Sequence, residues 1–372
     1  MASAFAASLP GLRNGFVQDD VALIAQNVRA QDLSRWSEIL TSPYWPHPWK
    51  QDLYRPVTSL LLALEYQLGG GAPLVFRLVS YLLYAAAALL VLLLARRILP
   101  DSVAAAVALL FAVHPVHVEA VALGVAQSEL LVGLLALGMT IRYLGHRREG
   151  AGTLRRRDWA VLAILYGLAC FSKETGFVLP LLLLAAEILL LDGALLPRLR
   201  RLSAGYASLL AIGLLAFAAR TSVLSHIATP GPADALAGLS AGGRALTMLR
   251  VIPTWARLLV WPAHLRADYS PQEIVAATGF GPQEAFGLLL AATVIAAIWF
   301  SRSRAPALSF GLAWMATGLL PVSNVLVPTG ILVAERNLYL PSIGFLLALG
   351  AAGVMLREAR AGRPAASALE ST

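Results

Sequence analysis

The sequence of 372 residues contains few charged residues and only one cysteine. Charged side chains make up 13% of the chain and hydrophobic ones 58%, whereas a soluble globular domain carries about 25% charged residues. This composition excludes an ordinary cytosolic enzyme. Because Cys170 is the single cysteine, a disulfide within this chain is excluded as well.

Two motifs of nucleotide chemistry are also absent. The sequence contains neither a Walker motif nor a GxGxxG turn, so nucleotide hydrolysis and dinucleotide redox chemistry have no support. It also shows no convincing internal repeat, which weakens the case for a transporter built from inverted repeats.

What the sequence has instead is a series of long apolar runs, such as those at 78–99, 179–193 and 206–219. Alone or with their flanks, such runs are long enough to cross a hydrocarbon core of about 30 Å at about 1.5 Å per residue. The sequence therefore predicts an all-α polytopic membrane protein lying in a lipid bilayer. The nine predicted spans are about 76–95, 102–116, 125–144, 158–172, 175–191, 203–224, 284–301, 306–322 and 337–356.

Basic residues determine the predicted orientation in the membrane. The chain has a net charge of +8 and a pI near 10.0, but its basic residues lie in short clusters between the apolar runs. This distribution favours positive-inside topology, and no nucleic-acid partner is expected. With nine spans, one side receives the clusters at 96–97, 147–157, 198–201, 302–304 and 357–363, and that side is predicted to be cytoplasmic.

The predicted organisation has three parts: a first outer loop at 1–75, a transmembrane domain at 76–357 that includes an outer loop at 225–283, and a cytoplasmic tail at 358–372. Two outer stretches, 54–68 and 247–262, predict amphipathic helices at the interface, the first beginning near Pro56. A tenth crossing at 56–70 is the alternative, and it would invert everything before it. Most tryptophans and histidines lie in the outer segments, so a chemical function is expected on the non-cytoplasmic face.

The first candidate for chemistry is the acidic pair Asp19 and Asp20, which follows a short glycine-containing turn. One of these carboxylates can accept a proton from a hydroxyl nucleophile while its neighbour binds a metal or positions the acceptor. The alternative is structural, with one acid capping a helix and the other in its first turn.

A second candidate site lies where a span meets the outer face, in the segment HPVHVEA. His114 and His117 would share a helix face, and Glu119 follows two residues later. Imidazole and carboxylate suit a divalent metal, and protonated imidazole suits a phosphate. The alternative is that the histidines satisfy backbone carbonyls where Pro115 breaks the helix. Glu129, at the outer end of the next span, is costly there unless it is partnered.

Two further polar segments interrupt apolar runs. Lys173 and Glu174 lie in a short outer hairpin and are expected to be paired or to face a cavity rather than lipid. Glu335 and Arg336 lie at the entry to the last span, where an arginine requires an anionic partner. A lipid-linked phosphate would suit the planar guanidinium, and a carboxylate such as Glu335 is the alternative partner.

Together these segments resemble a known family. The order of NGFVQDD, YRPVTSLLLALEYQLGG, HPVHVEA, SKETGFVLPLLLL, WPAHLRADYS and AERNLYLPSIGF is similar to the membrane part of the transmembrane-and-TPR-repeat O-mannosyltransferases and their bacterial relatives. These enzymes belong to the C-type glycosyltransferase superfamily, which uses a polyprenyl-phosphate sugar as donor. The resemblance covers nearly the whole chain, and HPVHVEA and AERNLYLPSIGF are its most specific parts.

The resemblance implies an inverting transfer of a hexose, with mannose suggested by the family alone, to a hydroxyl of a protein (Ser or Thr) or glycan acceptor. It places the catalytic base on Asp19 or Asp20, with Asp19 favoured. It places Arg336 at the donor phosphate and His114, His117 and Glu119 in the same cavity. The residue chemistry adds Lys173 and His114 as candidates for the donor phosphate, and His117 and Glu119 as candidate ligands of a divalent metal. Glu129, Glu174 and Glu335 would support this site.

The sequence departs from the family at both ends. Only about 18 residues precede the acidic pair and none of their apolar stretches is long enough to span, so the expected first membrane helix is missing from this chain. No TPR array follows the last span. Usage rich in Ala, Leu and Arg favours a bacterial inner membrane. The rival function is a polytopic lipid or ion transporter.

Overall fold

The computed structural model describes residues 9–49, 51–149, 154–224, 233–266, 269, 274–325 and 327–362. Every regular element in these ranges is helical, which confirms the predicted all-α class. The longer helices are α1 (Pro56–Gly69), α2 (Pro73–Ala95), α3 (Asp101–Val113), α4 (Gln127–Glu149), α5 (Arg156–Ser172), α6 (Leu179–Leu189), α7 (Leu195–Leu224), α8 (Ala241–Val260), α9 (Pro282–Ser301), α10 (Pro306–Leu319) and α11 (Tyr339–Arg360).

Short helical turns connect these helices. A π-helical turn at Val21–Ala25 follows the acidic pair, and α-helical turns form at Val28–Gln31, Trp36–Thr41 and Val118–Ala122. The 3-10 turns are Leu9–Arg13, Leu33–Arg35, Pro115–His117, Glu174–Val178, Asp234–Leu236 and Glu335–Leu338. Chemistry-bearing residues of the sequence analysis therefore lie in short turns that join the long helices.

Each of the nine predicted spans coincides with helical structure, but fewer than nine helices are long enough to cross a membrane. Five described helices are long and apolar enough: α2, α4, α7, α9 and the stretch from Glu335 to Arg360. A sixth span results if α3 and the turns to Ala122, which are bent by 47°, are counted together. The predicted spans at 158–172, 175–191 and 306–322 correspond to helices that are shorter than a full crossing. The count of nine is therefore not confirmed.

Both predicted outer amphipathic stretches are helical. α1 begins at Pro56 as expected, and it ends before Gly70, whose φ of 56° is a left-handed conformation that glycine adopts without strain. α8 begins six residues earlier than the predicted stretch at 247 and buries one face, formed by Thr247, Met248, Val251, Trp255, Leu258 and Leu259. The spacing of these residues is that of an amphipathic helix, although a position at the membrane interface is not shown.

The described residues divide into two compact units. The first contains those of Met1–Leu90, Glu119–Leu183 and Asp192–Ile227, and the second those of Val91–Val118, Leu184–Leu191 and Ala228–Thr372. The core of the first unit consists of buried apolar residues from the acidic segment, α1, α2 and the turn before α4: Leu23, Ile24, Tyr44, Leu62, Phe76, Leu123, Val125 and Ala126. Leu23 and Ile24 follow the acidic pair closely in sequence, so this core packs the segment after the pair against α1, α2 and the turn before α4.

In the second unit, α10 and α11 pack closely against each other. Gly311 of α10 and Gly344 of α11 face each other, and a Cβ atom on either would overlap the backbone of the other helix. Trp314 packs in the same region, and its indole N–H donates to the carbonyl of Leu340 at 3.0 Å. Small residues at this crossing therefore let the last two helices approach backbone to backbone.

Parts of the predicted loops lie outside the described residues. These are 1–8 and 50 of the first outer loop, 225–232, 267–268 and 270–273 of the outer loop 225–283, and 363–372 of the tail. The boundaries predicted at 75 and 357 remain predictions.

Candidate active site

The two aspartates of the acidic pair occupy different environments in the first unit. Asp20 is completely buried, whereas Asp19 is partly exposed. The Oδ1 atom of Asp20 accepts the backbone N–H of Val125 at 2.9 Å, and its Oδ2 atom accepts that of Gly124 at 3.1 Å. Asp20 makes no side-chain cap to the π turn that follows it, so the predicted capping role within its own helix is not what the structure shows. It anchors the turn before α4 instead.

Arg77 of α2 lies beside the same carboxylate. Its Nη2 atom is 3.9 Å from Oδ2 of Asp20 and donates to the carbonyl oxygen of Gly15 at 2.7 Å. Burial raises the pKa of Asp20 above its ordinary value, while the N–H groups of Val125 and Gly124 and the Arg77 charge act in the opposite direction. We refer to residues 15–20 as the acidic loop, since its two ends meet Arg77.

Asp19 remains as the acid at the partly exposed side of this loop. The residue before it, Gln18, has a φ of 49°, a left-handed conformation that is costly for a side chain other than glycine. Because both oxygens of Asp20 are used by backbone donors, Asp19 is the member of the pair better suited to receive a proton from an incoming hydroxyl.

Sequence reasoning missed a second buried carboxylate of this unit, Glu65 of α1. Its Oε2 atom accepts the side-chain N–H of Gln127 at 3.0 Å, and the same Gln127 nitrogen lies 3.1 Å from the Phe76 carbonyl and 3.2 Å from the Ser80 hydroxyl. Desolvation raises the pKa of Glu65 to about 8, although the hydrogen bond from Gln127 opposes the shift. A carboxylate in an otherwise apolar helix was the signal that could have identified it.

Lys173 and Glu174 were predicted to be paired or to face a cavity, and each forms an ion pair with a different partner. Lys173 forms a buried ion pair with Glu129 at the start of α4. Glu174 accepts from Arg55 just before α1, with Nη2 to Oε2 at 2.7 Å and Nε to Oε2 at 3.1 Å. Burial alone would raise the pKa of Glu174, but the Arg55 guanidinium outweighs it and the pKa is lowered. The expectation that Glu129 needs a partner at its depth is thus matched by Lys173.

This pairing bears on the predicted role of Lys173 toward a donor phosphate. With Glu129 beside it, the ammonium charge is already compensated within the first unit. The phosphate role of Lys173 therefore stays a prediction, and the geometry favours a structural ion pair.

The predicted histidine pair lies in the second unit. Nδ1 of His114 accepts the backbone N–H of Val116 at 3.3 Å, so its Nε2 carries the proton that is donated to the Leu259 carbonyl at 3.0 Å. His117 is buried, and its Nδ1 donates to the Phe111 carbonyl at 3.1 Å. These contacts match the alternative in which the histidines satisfy backbone groups beside Pro115.

The remaining ring nitrogen of His117, Nε2, lies 2.7 Å from the hydroxyl oxygen of Ser342. Both nitrogens thus have protein partners, and a metal ion would have to displace one of them. Within the described ranges, no group of three or more His, Cys, Asp or Glu side chains is arranged to hold a metal. The metal role of His117 and Glu119 stays a prediction.

Glu335 connects the start of the last helix to the segment after α8. It is buried, and its Oε1 atom accepts the hydroxyl of Tyr269 at 2.7 Å and the backbone N–H of Arg266 at 2.6 Å. Burial, reinforced by Glu335, raises the pKa of Tyr269 to about 12. Arg336 follows in the 3-10 turn Glu335–Leu338 and is partly exposed, so it precedes α11 rather than lying deep within it.

One further string, GLSAG at 238–242, has the GxSxG spacing of serine hydrolases. Its serine, Ser240, accepts the backbone N–H of Gly243 at 3.2 Å and caps the start of α8. A nucleophile elbow requires a strand before the serine, and this serine follows a 3-10 turn, so the string is a helix cap.

A family model described as dolichyl-phosphate-mannose-protein mannosyltransferase matches residues 47–222, somewhat less than half of the chain. This region includes α1 to α7, with the Glu65, Lys173–Glu129 and Arg55–Glu174 contacts, and it begins after the acidic pair.

Proteins named as O-mannosyl-transferases match nearly the whole chain. Mouse protein O-mannosyl-transferase TMTC3 is 27% identical over 90% of this chain and 39% of its own length. Fruit-fly Tmtc1 is 26% identical over 94% of this chain and 50% of its own length, and fruit-fly Tmtc2 is 34% identical over 46% of this chain and 19% of its own.

These matches confirm the resemblance found in the sequence, and the chain spans about two fifths to half the length of the relatives that cover most of it. No solved structure matches the chain significantly.

Proposed function

We propose that this chain is an integral membrane glycosyltransferase that moves mannose from a polyprenyl-phosphate donor to a hydroxyl group, including Ser or Thr of a protein, on the non-cytoplasmic face. The relatives that cover nine tenths of the chain are named as protein O-mannosyl-transferases, and this observation carries the proposal. The site supports it because one carboxylate of the acidic pair is buried and bound by two backbone N–H groups, whereas the other is partly exposed.

The chemistry assigns a step to each residue. Asp19 accepts the proton of the acceptor hydroxyl while the hydroxyl oxygen attacks the anomeric carbon of the donor. The bond between that carbon and the phosphate oxygen breaks, and the polyprenyl phosphate leaves with the electron pair. Attack opposite the leaving group inverts the anomeric configuration. Arg336 neutralises the charge that develops on the phosphate.

The direct test is transfer from radiolabelled polyprenyl-phosphate mannose to Ser/Thr peptides by the purified protein in proteoliposomes. Asp19→Asn keeps the size of the side chain but removes the base, so we expect transfer to fall at least about 100-fold with donor binding retained. Asp32→Asn, the same change at an exposed cap in the same unit, is the matched control. Full transfer by Asp19→Asn would contradict the assignment of the base.

Arg336→Lys tests the phosphate contact. Lysine keeps the charge but loses the planar fork of the guanidinium. The affinity for the donor should therefore fall, while thermal stability should equal that of the wild type. Lowered stability with unaltered donor affinity would instead make Arg336 a structural ion-pair residue.

We also propose the membrane topology of the chain: it has nine spans, lies in a bacterial inner membrane and has a cytoplasmic C-terminus. A reporter active only in the cytoplasm should then work when fused after Gly362 and fail when fused within 226–246. The opposite pattern would place the acidic and histidine segments on the cytoplasmic side and would contradict a site on the non-cytoplasmic face.

Two alternatives are separated by the same preparation. If a divalent metal is used, chelation should abolish transfer, and added metal should restore it. A lipid or ion transporter would instead move its substrate across the proteoliposome membrane without forming a mannosylated product. In that case neither the wild type nor Asp19→Asn would show glycosyl transfer.

A further inference from the structure

The guanidinium of Arg77 lies between the two ends of the acidic loop. Its Nη2 atom donates to the carbonyl of Gly15 at 2.7 Å and lies 3.9 Å from Oδ2 of Asp20. Arg77 is 2% exposed, so these contacts are made away from solvent. One side chain on α2 therefore meets the first and the last residue of a six-residue loop.

Other contacts fix the same loop to the same helix. The ring of Phe16 packs edge to face on that of Phe76, the residue before Arg77, with centroids 5.2 Å apart. At the far end, Asp20 is bound by the turn at Gly124 and Val125. The residues from Val17 to Asp19 thus lie between two ends of the loop that are held in place.

Gln18, in the middle of this segment, has an unfavourable backbone conformation. Gln18 has a φ of 49°, which costs a residue with a Cβ atom about 1–2 kcal/mol. Such a conformation persists where the surrounding structure holds it, and here the two anchors flank it directly. Asp19 follows Gln18, so the anchors determine where its carboxylate leaves the backbone.

Stability by itself gives little reason for an arginine at position 77. Among the described residues, its buried Nε and Nη1 atoms have no hydrogen-bond partner. Each buried donor without a partner costs about 1–3 kcal/mol. The contacts that this arginine does make converge on the acidic loop.

We propose that Arg77 is a positioning residue, which clamps Gly15 and Asp20 and thereby aims the Asp19 carboxylate at the acceptor hydroxyl. This inference rests on the proposed function, in which Asp19 is the base. Arg77 is buried, so in this proposal it acts on the reaction through the loop.

Arg77→Lys separates this role from a structural one. Lysine keeps a positive charge, but its side chain ends one bond short of the position of Nη2, the atom that contacts both Gly15 and Asp20, so it cannot keep both contacts. We expect thermal stability close to that of the wild type, a kcat lowered about 10- to 100-fold, and a KM for donor within about twofold. Arg77→Gln removes the charge as well and should lower both kcat and stability.

Arg29 is the matched control. Its guanidinium also bridges two backbone carbonyls of the first unit, those of Pro43 at 3.0 Å and Trp45 at 3.1 Å, but neither lies in the acidic loop. Arg29→Lys should therefore change stability by as much as Arg77→Lys, while kcat stays at the wild-type value.

Hydrogen exchange supplies a readout that does not depend on activity. The amide of Asp20 donates to the Val17 carbonyl at 3.1 Å and that of Val21 to the Gln18 carbonyl at 3.2 Å. A clamped loop predicts slow exchange at both amides in the wild type and faster exchange in Arg77→Lys.

Four outcomes decide between the explanations. Faster loop exchange together with a lowered kcat and an unchanged KM would support the proposal. Fast exchange in the wild-type loop, or unchanged exchange in Arg77→Lys, would overturn it without any need for the variant to be active. Faster exchange with a wild-type kcat would overturn the positioning role but leave Asp19 as base. No transfer by the wild type would contradict the proposed function itself, whereas the exchange data would still show whether Arg77 holds the loop.

Discussion

The Oδ1 atom of Asp20 accepts the backbone N–H of Val125 at 2.9 Å, and the two residues are 105 positions apart in the chain. The adjacent Gly124 donates to the other oxygen of the same carboxylate. A single acid therefore fastens the N-terminal acidic loop to the start of α4, and it fixes the position of its neighbour Asp19.

Asp20→Asn should lower stability, whereas Asp19→Asn should not. In Asp20→Asn one carboxylate oxygen is replaced by an NH₂ group. This group faces a backbone N–H donor and cannot accept its hydrogen bond, so a charge-assisted hydrogen bond worth about 1.5–3 kcal/mol is lost. Thermal unfolding in detergent measures the difference between the two variants. Equal melting temperatures would show that the contacts with Gly124 and Val125 do not hold the loop.

Glu65 should make stability depend on pH. Its pKa is raised from 4.5 to about 8 in the folded protein, so folding takes up a proton between these values. The contribution of Glu65 to the free energy of unfolding is fully present below about pH 4.5 and is lost as the pH rises to about 8. The loss is at most about 1.4 kcal/mol per pH unit.

Glu65→Gln removes this dependence, so the variant should gain stability relative to wild type as the pH rises from 5 to 8, by up to about 1.4 kcal/mol per unit. Unfolding curves at several pH values provide the measurement. Glu38→Gln, the same change at an exposed helical position, should show no such trend. Parallel pH profiles of Glu65→Gln and wild type would mean that Glu65 is ionised when folded.

The buried pair Lys173–Glu129 should show strong coupling. Glu129→Gln or Lys173→Met leaves the partner charge buried without this ion pair, which costs about 3–5 kcal/mol. The double variant Glu129→Gln/Lys173→Met should lose less stability than the sum of the two single changes. The exposed pair Arg35–Glu38, at 3.2 Å, is the control and should couple by about 1 kcal/mol or less. Additive effects at the buried pair would contradict its role as an ion pair.

Two glycines of α11 should respond to the same substitution in opposite directions. A Cβ atom at Gly344 would overlap the α10 backbone at Gly311 and Met315, so Gly344→Ala should force the helices apart and lower the melting temperature. Nothing lies within 4 Å of a Cβ atom at Gly353, so Gly353→Ala should stabilise the helix by about 0.5–1 kcal/mol. A loss of stability at Gly353 would show that this face of α11 is covered.

Much of the fold was predictable because apolar runs report helices directly. All nine predicted spans coincide with helical structure, and the start of α1 at Pro56 follows from the fixed φ of proline. The number of crossings was not predictable in the same way. Apolar runs at 158–172 and 306–322 read as spans, but turns end the helices after 17 and 14 residues.

The candidate site was predictable in its residue types but not in its partners. Adjacent residues Lys173 and Glu174 were expected to pair or to face a cavity, yet each binds a residue on a different helix start. Local sequence spacing carries no information about such contacts. Arg77 and Gln127 lie near the ends of predicted spans, where polar side chains are costly, and this cost was a signal that could have pointed to a buried network.

The contact between Asp20 and Val125 also has a consequence for biosynthesis. Translation at about 5–20 residues per second places residues 124 and 125 in the chain about 5–20 s after Asp20. During that interval the Asp20 carboxylate lacks its backbone donors, and the loop that carries Asp19 cannot adopt its final shape. The acidic loop can therefore be completed only after the start of α4 has been synthesised, and Asp19, the proposed base, reaches its final position no earlier than that.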